Sequence, residues 1–240
     1  VDSDASTSFH NAAGMTRIKG KEVMGTGGLL YATVKFDPDS DTPISGGDGG
    51  DAGGPAPIIG GFYVHSLSDR WKVGANLITI SAAILDYDDD WTGRYLNTDV
   101  TLLTMTFYPS VAYRVNDWLS LGGGPQIMYA DLELKAKVPL PKDDGKVKID
   151  GDDVAYGFGL GALVELSERT RFGLVYQSEI EPDFDGDVKL SGPGTKKVGT
   201  DTKITLAQFI KVSGYHELND RWALLGTVGW EDWSAFKNVN

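Results

Sequence analysis

Leu218-Asn219-Asp220-Arg221-Trp222 is the last of four near-identical phrases in this chain. Leu67-Ser68-Asp69-Arg70-Trp71, Val115-Asn116-Asp117-Trp118 and Leu166-Ser167-Glu168-Arg169-Thr170 precede it, so the phrase starts at residues 67, 115, 166 and 218. Each joins an apolar residue to a small polar one and an acid, and a run of alternating residues follows. Ser or Asn before an acid is turn chemistry, because these side chains bond nearby backbone and tolerate tight bends. Four short turns therefore punctuate the chain.

Working outward, paired strands are expected at residues 58–67 and 71–82, 99–115 and 118–134, 154–166 and 171–180, and 203–218 and 222–233. With a first run at 23–36 this makes about nine strands. Val154, Tyr156, Phe158, Leu160, Ala162 and Val164 fall on one face, and Ala155, Gly157, Gly159, Gly161 and Leu163 on the other. In the 99–115 run Leu103, Met105, Phe107, Val111 and Tyr113 oppose Thr104, Thr106, Tyr108, Ser110 and Arg114. Connections at one end are two or three residues long and at the other roughly 15 to 25, the asymmetry of an outer-membrane barrel. Tilted, alternating strands of roughly 10 or more residues are also what a bilayer requires of one.

Composition narrows the class. The chain has 240 residues, 41% apolar, with 31 glycines and no cysteine. No apolar run reaches the ~18 residues of a spanning helix, and no disulfide framework or thiolate metal site is available. A net charge of −12 excludes a phosphate-binding, nucleic-acid role. The acids gather at 37–51, 86–90, 143–153 and 179–187, between the short turns. Residues 37–57, rich in Gly and Pro, read as a flexible loop without packing capacity. Residue 1 opens a polar stretch with no signal peptide, which reads as a processed chain or a fragment. Nothing in the sequence speaks to oligomeric state.

Trp71, Trp118 and Trp222 open strands just after short turns, and Tyr113 and Tyr215 close strands just before them. This is the placing of a membrane-interface girdle, the alternative being ordinary core aromatics. A repeat near 50 residues also matches kelch-type propellers. A propeller blade, however, needs about four strands per repeat, and each unit here supplies two long ones.

Residues 4–20 bring in a resemblance. Asp4-Ala5-Ser6-Thr7 and Asn11-x-Ala13-Gly14-Met15-Thr16-Arg17 resemble the end of the N-terminal hatch in outer-membrane transporters of the FadL/TodX type, with Ala12 where that family has proline. Gly226-Thr-Val-Gly-Trp-Glu-Asp-Trp-Ser-Ala-Phe236 is similar to a later strand of the same family. The resemblance implies an all-β fold, an antiparallel transmembrane β-barrel of 14 strands. About nine are present here, with residues 1–20 as the end of the hatch and 21–240 as a partial barrel. It implies passive uptake of long-chain fatty acids or other hydrophobic compounds across a bacterial outer membrane. Substrate would reach an apolar lumen site and leave sideways beside a kinked strand. No cofactor is implied.

The residues suit that expectation at particular points. Ile78, Ile80, Leu102, Met128, Leu163 and Leu225 are apolar at inward positions, where they either line a hydrophobic site or pack beneath the hatch. The 78–85 run alternates weakly, as a bent or bulged strand would. Within the hatch, Phe9, Asn11, Ala13 and Met15 are candidate ligand contacts or simple plug-packing residues. Asp37-x-Asp39-x-Asp41 has the opening spacing of a calcium loop, but Thr42 replaces the turn glycine and no Glu closes it, so solvated loop charge is favoured. The acidic stretches at 86–90 and 183–187 suggest divalent bridges to lipopolysaccharide. His10, His65 and His216 lack metal-ligand spacing, and no G-x-S-x-G occurs. A barrel lipase or protease, or a structural or adhesive barrel, remains the competing class.

Overall fold

The computed structural model describes residues 4–38, 44–79, 82–141, 143–191 and 196–234, with residues 82, 185–191 and 196–202 described by their backbone alone. Ile80, Asp39, Asp41, Thr42 and Phe236 lie outside the described residues. So do the side chains of Asp185 and Asp187.

Twelve antiparallel strands form one sheet: β1 (Lys21–Tyr31), β2 (Pro55–Ser66), β3 (Trp71–Ile78), β4 (Ala82–Asp86), β5 (Asp99–Arg114), β6 (Leu119–Val138), β7 (Gly145–Ser167), β8 (Thr170–Gln177), β9 (Asp183–Ser191), β10 (Lys196–Lys203), β11 (Phe209–Asn219) and β12 (Trp222–Glu231). The continuous path runs β1-β2-β3-β5-β6-β7-β8-β11-β12, the nine strands that alternation predicts. β1 and β12 are its two edges, so the sheet is curved but not closed among the described residues. β9 pairs with the outer part of β7 and carries β10.

Each short turn is closed by the side chain that its sequence suggests. Ser68 Oγ accepts from the Trp71 amide at 3.0 Å and Asn116 Oδ1 from the Leu119 amide at 2.8 Å. Ser167 Oγ accepts from the Arg169 amide at 3.3 Å, and Asn219 Oδ1 from the Arg221 amide at 2.9 Å. These local bonds satisfy backbone donors that a tight turn otherwise leaves open.

The two faces differ as the alternation requires. Leu103, Met105, Phe107, Val111, Tyr156, Phe158, Leu160, Phe172 and Leu174 are exposed on the convex face. So broad an exposed apolar surface needs lipid. On the concave face lies the N-terminal segment, a one-turn helix (Thr7–His10) followed by a 3-10 helix (Ala12–Arg17). Its Ala5, Ala12, Met15 and Ile18 form a core with Phe62, Val64 and Ala112 of the wall. Glycine makes this approach possible: a Cβ at Gly122 would stand 2.6 Å from the Ala13 amide nitrogen, and one at Gly74 2.4 Å from the Met15 sulfur.

Three expectations are corrected. First, β6 and β7 run well past residues 134 and 154, leaving a connection of residues 139–144 rather than a long loop. Lys135, Lys137, Lys146 and Lys148 alternate there with Ala136 and Val147, so the strand persists although its outward face is charged. Second, the described part of the 37–57 loop is packed. Ala52 is buried, Gly49 sits so close to Tyr87 that a Cβ would lie 2.7 Å from its ring, and Tyr87 stacks on Trp91 at 4.0 Å. Third, Tyr215 does not belong to the girdle. It faces inward, with the Arg171 guanidinium 3.7 Å from its ring centre, while Trp71 and Tyr113 meet at a tilt on the outward face of the short-turn end, ring centres 4.5 Å apart. The inner wall beneath the N-terminal segment is chiefly polar or small, in line with the polar face of residues 99–115. Lys72, Asn76, Thr106, Ser110, Ser120 and Gln126 are all buried there. Inward apolar side chains gather further toward the long connections, where Met128 packs with Ala155 and Ile180, and Leu132 with Phe184.

The weakly alternating run does break a strand. Ile78 pairs with Thr106 and Ala82 with Leu103, so four steps on this side answer three on β5, with residues 80 and 81 outside the described residues. Such a one-residue excess is the count of a bulge.

A candidate ligand-binding lumen

Between the N-terminal segment and the β8–β11–β12 wall lie two cavities. The larger, about 610 Å³, is lined by Phe9, His10, Leu102, Gln177, Leu206 and Lys211 among others. The smaller, about 270 Å³, lies nearer the short turns among His10, Asn11, Gly173, Ser213 and Leu225. Lys211 and His10 border both, so the cavities adjoin along the wall.

Local geometry explains the charge there. Phe209, Lys211, Ser213 and Tyr215 face inward while Ile210 and Val212 are exposed on the lipid side. The Lys211 ammonium lies 3.3 Å from a Glu231 oxygen on β12 and 4.0 Å from the Phe209 ring centre. The cavity is half open, and its largely apolar lining carries the Lys211–Glu231 pair, whose lysine can receive an anionic head in competition with Glu231. Lys211 was accessible to sequence reasoning as a lone charge at an inward mid-strand position, but it escaped notice. Gln177 and Phe209, at strand ends, and Leu206, in the connection between β10 and β11, escaped too.

The other candidates divide. Phe9 and Leu102 line the larger cavity, and Asn11 and Leu225 the smaller. Asn11 also ties the segment to the wall, donating to the Ala162 carbonyl at 3.0 Å and accepting from the Ala13 amide at 3.1 Å. Ala13, Met15, Met128 and Leu163 are buried in packing, and Ile78 rests against the core formed by the N-terminal segment.

Beside the broken strand the wall has a seam. The Thr79 amide bonds the Ile59 carbonyl at 3.0 Å and the Asp86 amide bonds the Ala52 carbonyl at 2.9 Å. Between those two bonds β4 pairs only with β5, and no backbone bond joins it to β2 among the described residues.

The long connections are fastened by ion pairs. Arg94 Nε meets Asp144 at 2.8 Å, and Lys137 meets Asp89 at 2.9 Å. The Arg94 bond holds the Asp144 carboxyl below its ordinary range, and the Lys137 bond does the same for Asp89. Among the described residues no group of three His, Asp or Glu side chains is placed to hold a metal.

Comparison with known proteins bears on all of this. The model of the outer membrane protein transport family (OMPP1/FadL/TodX) matches residues 1–240. Outer membrane protein P1 of Haemophilus influenzae is 26% identical over 239 residues, covering 84% of this chain and 52% of that protein. A long-chain fatty acid transport protein of Escherichia coli is 25% identical over 216 residues, covering 74% of this chain and 48% of that protein. The chain thus spans about half the length of the curated relatives it matches. Among solved structures, a Pseudomonas aeruginosa FadL homologue superposes with a TM-score of 0.81 at 21% identity, covering 98% of this chain and 66% of that one. The CymD monoaromatic hydrocarbon channel gives 0.69 at 16% identity, again covering 98% and 66%. At these identities the structural likeness speaks for the fold.

Proposed function

The chain belongs to the FadL/TodX family of outer-membrane transport proteins, and from that premise we propose that its parent protein passively takes up long-chain fatty acids or similarly lipophilic molecules. Residues 1–20 serve as the end of a hatch and 21–240 as barrel wall. The observation behind this reading is the 610 Å³ cavity, in which Phe9, Leu102 and Leu206 surround one inward lysine. Substrate enters from the long-connection end and rests with its head at Lys211. It leaves through the seam between β2 and β4, a route supported by the broken pairing at Ile78. Outward above the apolar belt, Asp131, Glu133, Lys135 and Lys148 on β6 and β7 face lipopolysaccharide. This is a channel reading rather than an enzymatic one, and an aromatic hydrocarbon is the alternative cargo.

The test is uptake of labelled oleate and of toluene by cells that lack their own fatty-acid channel and express the full-length protein. Oleate uptake is expected, falling severalfold with Lys211→Met and nearly vanishing with Leu102→Asp. Toluene uptake alone would move the cargo to aromatic hydrocarbons. Uptake of neither by protein folded in the outer membrane would overturn the reading.

A further inference from the structure

Three guanidinium groups and one carboxylate meet at the short-turn end of the lumen, below the smaller cavity. Glu165 on β7 has both oxygens engaged, one by Arg17 of the N-terminal segment and the other by Arg114 of β5 at 3.9 Å. Arg114 also donates to the Thr16 carbonyl at 3.2 Å. Arg171 on β8 is the direct cross-strand neighbour of Glu165, yet no carboxylate lies within 4.0 Å of it among the described residues. It is only 7% exposed, and its guanidinium lies instead against the Tyr215 ring.

A buried cation without a counter-charge is costly, and proteins otherwise pair or neutralise one. The cost is compounded here, because the Nε atoms of Arg17, Arg114 and Arg171 are all buried without a hydrogen-bond partner. Against Glu165 and Glu217, whose carboxylate accepts from the Tyr215 hydroxyl at 2.8 Å, the cluster is left with an excess of one positive charge. The Tyr215 ring covers one face of the Arg171 guanidinium and its hydroxyl takes up part of the hydrogen bonding, while the Arg171 Nε–H, one prong of the fork that matches a carboxylate, is left without a partner. The approach is built as well. Arg171, Tyr215 and Leu225 form one cross-strand row, and the smaller cavity is lined by Leu225 and by Gly173 and Ser213 of the next row.

We propose that Arg171, supported by Arg17 and Arg114, is an anion-receiving site at the inner end of the lumen that takes the carboxylate of an aliphatic acid. The proposal rests on the transport reading and adds a second station beyond Lys211. On this account Arg171 is kept for its ligand at a cost to the ligand-free protein.

The test uses purified full-length protein in detergent and compares binding of octanoate with octanol, which has the same chain and no charge, at pH 7.5. The wild type is expected to prefer octanoate by about tenfold or more, the worth of a charge-assisted hydrogen bond. Arg171→Leu should reduce that preference severalfold, to what Lys211 alone gives, leave octanol binding unchanged, and leave the ligand-free melting temperature unchanged or higher. Arg171→Lys, which keeps charge but loses the fork, should retain part of the preference and serves if the leucine variant fails its heat-dependent gel-mobility check for folding. Full octanoate preference in a folded Arg171 variant would overturn the proposal while leaving the transport reading intact. So would loss of preference on Lys211→Met alone. A fall in melting temperature with equal loss of both ligands would assign Arg171 a structural role and overturn it too. Binding of neither ligand by the wild type would remove the transport reading along with it.

Discussion

Along the β6–β7 pair, the half next to the short turn sets Ser120, Gly122 and Gln126 inward and Leu121 outward toward lipid. The half toward the long connections sets Ala130, Leu132 and Ala136 inward, while Asp131, Glu133, Lys135 and Lys137 point outward. One backbone ladder runs through both, since Leu119 pairs with Val164 and Val138 with Gly145 in unbroken register. What changes is the medium on each side. Near the short turn the inner neighbour is the N-terminal segment, which demands small residues, and the outer neighbour is lipid. Toward the long connections charges occupy the outer face, where Lys135 directly opposes Lys148 and Glu133 directly opposes Asp150. Like charges opposite each other are unfavourable, and the diagonal contact of Lys148 with Glu133 at 2.6 Å offsets them. Shape therefore fixes register in one half, and charge order assists it in the other.

The sharpest way to break this contrast is to fill the space that shape demands. Gly122→Leu drives side-chain atoms into the Ala12–Ala13 backbone and should cost about 3 kcal/mol. In a full-length protein this should appear as an undocked N-terminal segment cleaved by added protease while the strands stay protected. A smaller effect is expected of Asn11→Ala, which removes the bond to Ala162 and the cap on the 3-10 helix. About 1–2 kcal/mol should be lost, read as faster hydrogen exchange across residues 12–17 with the outer half of β6–β7 unaffected.

The mildest probe is pH, and it should touch only the outer half. Asp89 and Asp144 have carboxyls lowered by Lys137 and Arg94. A carboxylate with a depressed folded pKa contributes stability above its unfolded value, near 3.9, and loses it as pH falls through the folded one. Hydrogen-exchange protection factors in residues 87–98 and 139–144, taken against the unfolded chain at the same pH, should thus be unchanged between pH 7 and 5. They should fall below about pH 4, with the Gly122 region unmoved.

The same contrast explains what the sequence disclosed. Strands, faces and short turns were legible where apolar residues alternate with small or polar ones, as in Val154–Leu160 against Ala155–Gly159. The outer extension of β6 and β7 was not, because Lys146-Val147-Lys148-Ile149-Asp150 has loop-like composition and keeps only its alternation. The glycines at 122 and 161 were visible as inward positions. Their partners Ala13 and Asn11 lie more than a hundred residues away, a separation that periodicity does not span. Arg171 could be placed on the inward face, whereas its missing counter-ion depends on where Arg17 and Arg114 reach. Leu102 and Leu225 could be placed inward for the same reason as Arg171, while the grouping of Lys211 with Leu206 requires the curvature of the sheet.

The excess residue between Ile78 and Ala82 is a phase slip in a lattice of period two. Before it the even-numbered Ile78 serves the inner face, and after it the odd-numbered Ala83 does, lining the larger cavity beside Leu102. A slip of this kind cannot be annealed by adjusting side chains, because restoring the register on one side inverts the faces on the other. The wall therefore carries, at one place, a fixed mismatch in the numbering of its inner face.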